Sequence, residues 1–131
     1  MPVEKDELRQ RLKAMADRLA DLAHLGRIGR LFSTTVLLAV DEAEFYLTFE
    51  KGRIAEIREG PSLKTPWSFA LRAEGEALRQ FWQPIPQPGF HDIFGLVKYG
   101  HGRIDGDILM LVKNLRFFKA FMGLGREALN A

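Results

Sequence analysis

Histidine, aspartate and serine are the residues from which a chain without cysteine would build chemistry, and here each is sparse or poorly spaced. The three histidines are His24, His91 and His101. His91-Asp92 has the makings of half a metal site, or of a base beside the carboxylate that orients it. No third ligand stands at a motif spacing from it. His101 lies between Gly100 and Gly102, the setting of an exposed turn. Asp105 and Asp107 stand two apart, so on a strand they would share a face and could hold a hard cation. The simpler reading is one solvated aspartate and one helix N-cap. Ser33, Ser62 and Ser68 are the only serines, and none sits in a nucleophile elbow. The glycines at 100, 102 and 106 miss the dinucleotide-binding spacing, and no phosphate-binding loop is present. Without cysteine there is no thiolate ligand, thiolate nucleophile or disulfide. The expectation is a protein that is not an enzyme, with no catalytic residue, no metal and no cofactor.

Charge points the same way. Nineteen basic and 17 acidic side chains leave a net +2, too mild for a nucleic-acid binder. Arg116-Phe117-Phe118-Lys119 interleaves cations and rings as single-strand binders do. On a helix, however, its rings fall away from its cations, so no nucleic-acid partner is expected. No apolar run approaches the length of a membrane span, and the first residues are polar, unlike a secretory signal. A disulfide-free small domain suits a reducing compartment, so a cytoplasmic location is expected.

Apolar periodicity supplies the frame that must position whatever site exists. Leu8, Leu12, Met15, Leu19 and Leu22 recur at steps of four and three, which predicts a helix from residue 4 to about 25. Ser33 to Asp41 is apolar on both faces and reads as a central strand. Residues 45–50 alternate, Glu50-Lys51-Gly52-Arg53 reads as a hairpin loop, and 53–58 and 67–72 complete four strands. A short helix over 74–82 follows, then Pro84, Pro86 and Pro88 in a stiff connector. A second short helix spans 91–99, a glycine-spaced strand and turn covers 100–107, and one last helix begins near Asp107. Its apolar face is Ile108, Met110, Leu111, Leu115, Phe117, Phe118, Phe121 and Met122, opposite an arc of Lys113, Arg116 and Lys119. That face is broader than packing on a sheet requires. The expected organisation is a single domain over 1–131: an N-terminal helix in 1–30, antiparallel strands in 33–72, and short helices, one strand and the C-terminal helix in 73–131. The class is α+β, with helices covering a sheet.

Ten phenylalanines are the largest compositional excess. Phe32, Phe45, Phe49 and Phe69 belong with the first strands, whereas the six from Phe81 onward belong with helices and connectors beside Trp82. The second group exceeds what three helices need for packing and marks where a cavity is expected.

From about Phe45 to Leu124 the chain resembles the sterol carrier protein type-2 family. Phe45-Tyr46-Leu47-Thr48-Phe49-Glu50-Lys51-Gly52-Arg53-Ile54 is similar to the family's strand, glycine hairpin and strand. Trp67-Ser68-Phe69-Ala70-Leu71-Arg72 and the helix Glu76 to Trp82 are similar to its last hairpin strand and following helix. Residues 100–107, ending in Gly106-Asp107 before an apolar helix, resemble its signature ahead of the C-terminal helix. Gly102 departs from the family, which commonly has a bulkier residue there. The resemblance implies a five-stranded, mostly antiparallel sheet covered by about four to five helices. It also implies an apolar tunnel between the two layers, holding a fatty acyl chain, acyl-CoA, sterol-like or isoprenoid ligand without a catalytic centre. Phe81, Trp82, Phe90, Phe94, Met110, Phe117, Phe121 and Met122 are the expected lining, because such cavities are mostly apolar and aromatic. Lys113, Arg116 and Lys119 are the expected contacts to an acidic headgroup or a membrane surface. The alternative is an interaction module that buries the broad helix face against a partner or in a homodimer.

Overall fold

A computed structural model describes residues 4–129. Thr34–Val40 (β1) is apolar on both faces, and it lies at the centre of the sheet. It is followed by Ala43–Glu50 (β2), Arg53–Glu59 (β3), Phe69–Ala73 (β4) and Gly102–Gly106 (β5). The strand order is β3-β2-β1-β4-β5. β1 with β2, β2 with β3, and β4 with β5 pair antiparallel, while β1 with β4 pairs parallel. The sheet is therefore mixed and mostly antiparallel. The fourth strand differs from the expected all-antiparallel run: residues 60–68 carry the chain back across the sheet before β4 begins.

Lys51 and Gly52 both adopt positive φ, 51° and 78°, as the two-residue turn of a twisted hairpin demands. A Cβ on Gly52 would stand 2.8 Å from the Gly29 carbonyl oxygen, so glycine is required there twice over.

Register decides which residues meet the helices. Val36 lies opposite Leu47 and Phe69, and Leu38 opposite Phe45 and Leu71. All six are buried in the main core. On the other face Leu37, Tyr46 and Ala70 form a small second cluster with Trp67 against it. The Tyr46 hydroxyl donates to the Ser62 carbonyl at 2.8 Å, which ties the 60–68 segment down over this face.

Among the described residues six helices cover the main face: Lys5–Asp21 (α1), Ala23–Ile28 (α2), Gly75–Phe81 (α3), Ile93–Lys98 (α4), Ile108–Lys113 (α5) and Leu115–Leu129 (α6). Two of the expected helices are each divided. The first breaks at Leu22, whose backbone is extended. Its apolar stripe would next reach Gly26, which has nothing to bury; the bend instead places Leu25 in the core at 3% exposure. The last helix breaks at Asn114. Its side-chain amide donates to the Met110 carbonyl at 3.0 Å, the acceptor its own N–H would use in an unbroken helix. That N–H turns to Leu111 O instead, and Phe118 N–H restarts the ladder on Asn114 O. Among the described residues no helix is long and apolar enough to cross a membrane.

Candidate functional site

α1 and α6 pack on each other over the sheet, and the rings of α6 reach the rings of the strands. Phe117, Phe118 and Phe121 meet Phe32, Phe49 and Phe69 in one cluster. Ring centroids stand 5.3 Å apart for Phe32–Phe117, 5.1 Å for Phe49–Phe121 and 5.2 Å for Phe69–Phe118. The last two pairs are edge-on, the arrangement ring quadrupoles favour. All six rings are at most 1% exposed. The two groups of phenylalanine drawn from sequence therefore merge, because α6 lies directly over β2 and β4.

A second patch joins Phe81, Trp82 and Met122. The Trp82 indole N–H donates to the Met122 carbonyl at 2.8 Å, so a fully buried polar atom is satisfied. A Cβ on Gly125 would overlap that indole, which explains a glycine inside α6. Two arginines cover the patch. The Arg11 guanidinium lies 4.6 Å from the Trp82 ring centre, and that of Arg126 lies 4.5 Å from the Phe81 ring centre. Arg126 also donates to the carbonyls of Phe81 at 2.6 Å, Phe90 at 3.3 Å and His91 at 2.9 Å. Burial pushes the pKa of both arginines below the ordinary guanidinium value. Neither arginine has a sequence signature for this role: a carbonyl clasp depends on where the connector passes.

The remaining expected lining residues lie further out. Met110 is partly buried against the core. Phe90 stacks on His101 with ring centres 5.6 Å apart. Phe94 is 36% exposed. The three expected headgroup cations separate as well. Lys113 and Arg116 are exposed and make no ion pair with the described residues. Lys119 reaches Asp92 at 3.1 Å and the Phe94 ring at 6.0 Å. Asp92 caps α4, accepting from the amides of Phe94 at 2.8 Å and Gly95 at 3.1 Å. Partial burial pulls its pKa up, but Lys119 and these two amides outweigh that and leave it below the ordinary carboxylate value. A carboxylate depressed in the folded state stabilises above its unfolded pKa of about 4, and the contribution fades as pH falls below that. Asp92→Ala is expected to cost about 1 kcal/mol at neutral pH and nothing in strong acid, measured by urea unfolding across pH.

The residues weighed for catalysis are spoken for or dispersed. His91 is exposed. The Asp105 carboxylate takes Nε–H bonds from Arg72 and Arg103, each at 2.9 Å. Asp107 caps α5 through Met110 N–H at 3.1 Å, as its position ahead of the helix predicts. No group of three or more His, Asp or Glu among the described residues could hold a metal. Two surface recesses of about 420 and 310 Å³ flank a His101–Glu74 hydrogen bond of 2.8 Å. Arg72, Arg103 and Asp41 edge the larger, and Phe90 is the one expected lining residue at the smaller.

No protein-family model matches the sequence, and no curated protein sequence matches it. Solved structures do. Sterol carrier protein 2 superposes with a TM-score of 0.70 at 12% identity, covering 89% of this chain and 94% of that one. A conserved hypothetical protein from Thermus thermophilus, described as a candidate sterol carrier protein, gives 0.69 at 12% identity over 90% and 85%. The ubiquinone synthesis protein UbiJ-SCP2 gives 0.57 at 17% identity over 85% and 88%. The fold of this chain is that of sterol carrier protein 2.

Proposed function

We propose that this chain is a non-catalytic carrier of a lipid or other hydrophobic ligand, held between the helix-covered face of the sheet and α5–α6. The observation that carries this reading is the end-to-end fold correspondence with sterol carrier protein 2. The core is consistent with it, because the rings of Phe32, Phe49, Phe69, Phe117, Phe118 and Phe121 lie buried together with Met122 on the helix-covered face, the apolar surroundings such a ligand needs. The proposed lining is Phe81, Trp82, Phe90, Phe94, Met110, Phe117, Phe121 and Met122. The inner rings pack on one another, so entry of a ligand requires α5 and α6 to part from the sheet. Met110 and Met122 are suited to such repacking, since methionine adapts to irregular space. A 12-carbon tail gains up to roughly 9 kcal/mol from burial before ordering costs. Acyl, acyl-CoA, sterol-like and isoprenoid ligands all meet this description, and transfer implies passing contact with a membrane surface.

Titrating delipidated protein with a fluorescent fatty acid tests the reading. Saturable binding in the micromolar range or tighter is expected. No binding across acyl, isoprenoid and steroid probes would sink it.

A further inference from the structure

α5 is six residues long, five of them apolar, yet only Leu111 is fully buried. Ile108, Leu109 and Val112 are 46%, 61% and 55% exposed. At 3.6 residues per turn these three fall within roughly a 100° arc, with Lys113 just beyond it. Arg116 follows across the Asn114 break. The other strongly exposed aliphatic residues, Leu31, Leu63 and Ile85, stand singly in loops and need no special account. Three together on one helical face do.

Charge narrows what covers them. Residues 108–126 contain Lys113, Arg116, Lys119 and Arg126 and no acidic residue. Lys119 is held by Asp92 and Arg126 by the connector, whereas Lys113 and Arg116 face outward beside the patch. Of the carboxylates just before α5, Asp105 is balanced by Arg72 and Arg103, whereas Asp107 keeps its charge and caps the start of the helix, at the opposite end from Lys113. Area narrows it further. Three half-exposed aliphatic residues offer a few hundred Å² at most. A stable protein interface needs about 800 Å² from each partner. A bilayer makes no such demand: a few apolar side chains at the acyl boundary and cations among anionic headgroups suffice.

We infer that α5 is the surface by which this chain docks onto an anionic lipid bilayer. Ile108, Leu109 and Val112 enter the headgroup region, and Lys113 and Arg116 contact lipid phosphates and carboxylates. The inference rests on the carrier reading for its purpose: α5 covers the main face of the sheet beside α6, so docking there would bring the proposed ligand space close to the membrane.

Sedimentation with phosphatidylcholine vesicles, with and without phosphatidylserine, tests this. Binding to the anionic vesicles alone, weakening as salt rises, is expected. Lys113→Gln should weaken it about fivefold. The exposed-site pair Leu109→Ser/Val112→Ser should abolish it, while Leu63→Ser leaves it unchanged. Equal binding by the Ser pair, no binding by the unmodified protein, or a dimer dissolved by Leu109→Ser overturns it. The vesicle-free fatty-acid titration should be unaltered in the serine variants at Leu109, Val112 and Leu63. Intact titration with no vesicle binding removes the docking surface alone, and vesicle binding without fatty-acid binding removes the carrier reading alone.

Discussion

Phe121→Ala should lower the unfolding free energy by about 3–5 kcal/mol, measured by urea denaturation. Phe121 is 0% exposed and touches the ring of Phe49 edge-on at 5.1 Å and that of Phe118 at 6.2 Å. Removing its ring leaves a void in the middle of a six-ring cluster drawn from β2, β4, the lead-in to β1 and α6. Neighbours fixed on three elements have little freedom to collapse into it, which puts the cost at the high end for a core truncation. Set against a typical stability of about 5–15 kcal/mol, the loss is a large fraction of the whole. Phe121→Asp is harsher, since it buries a carboxylate with no partner in reach, and the expected result is an unfolded chain. Phe121→Leu retains most of the volume and is the variant for comparing ligand affinity in a folded protein. A loss under 1 kcal/mol for Phe121→Ala would mean that α6 does not pack on the sheet as described.

The second large effect is on affinity. If the ligand lies in an apolar space, each added methylene contributes about 0.8 kcal/mol, or roughly fourfold. From an eight-carbon to a 12-carbon fatty acid the dissociation constant should fall about 200-fold, measured by calorimetry on delipidated protein. The gain should stop at the length where the space ends, which measures its depth. An affinity independent of chain length would place recognition on the headgroup and contradict an apolar tunnel.

Much of the frame is legible in the residues. Both-faced apolarity in 34–40 puts β1 at the centre, and the Lys51-Gly52 turn and the Asp107 cap follow from local chemistry. What periodicity cannot see is competition at one residue. Leu22 is a good stripe position, but the next place on that stripe is Gly26, and Asn114 sits on the apolar face but takes a backbone carbonyl for its side chain. Both breaks depend on what the helix does next, not on the window around the residue. The site divides along the same line. Phe117, Phe121 and Met122 are readable as one helical face, and Phe118 beside them belongs to the same ring cluster. Lys119 reads as one of three equal cations until α4 brings Asp92 beside it. The clasp of Arg126 and the cover of Arg11 over Trp82 exist only through contacts far apart in the chain. The exposed face of α5 was hidden for the opposite reason: an apolar residue in a helix reads as buried until the neighbouring elements are placed and leave it uncovered.

The most direct test of the carrier reading is native mass spectrometry of freshly purified protein, never delipidated. The expected result is a monomer carrying a copurified amphiphile, its mass adduct released on denaturation. A bare chain that also takes up no acyl, isoprenoid or steroid probe would contradict it.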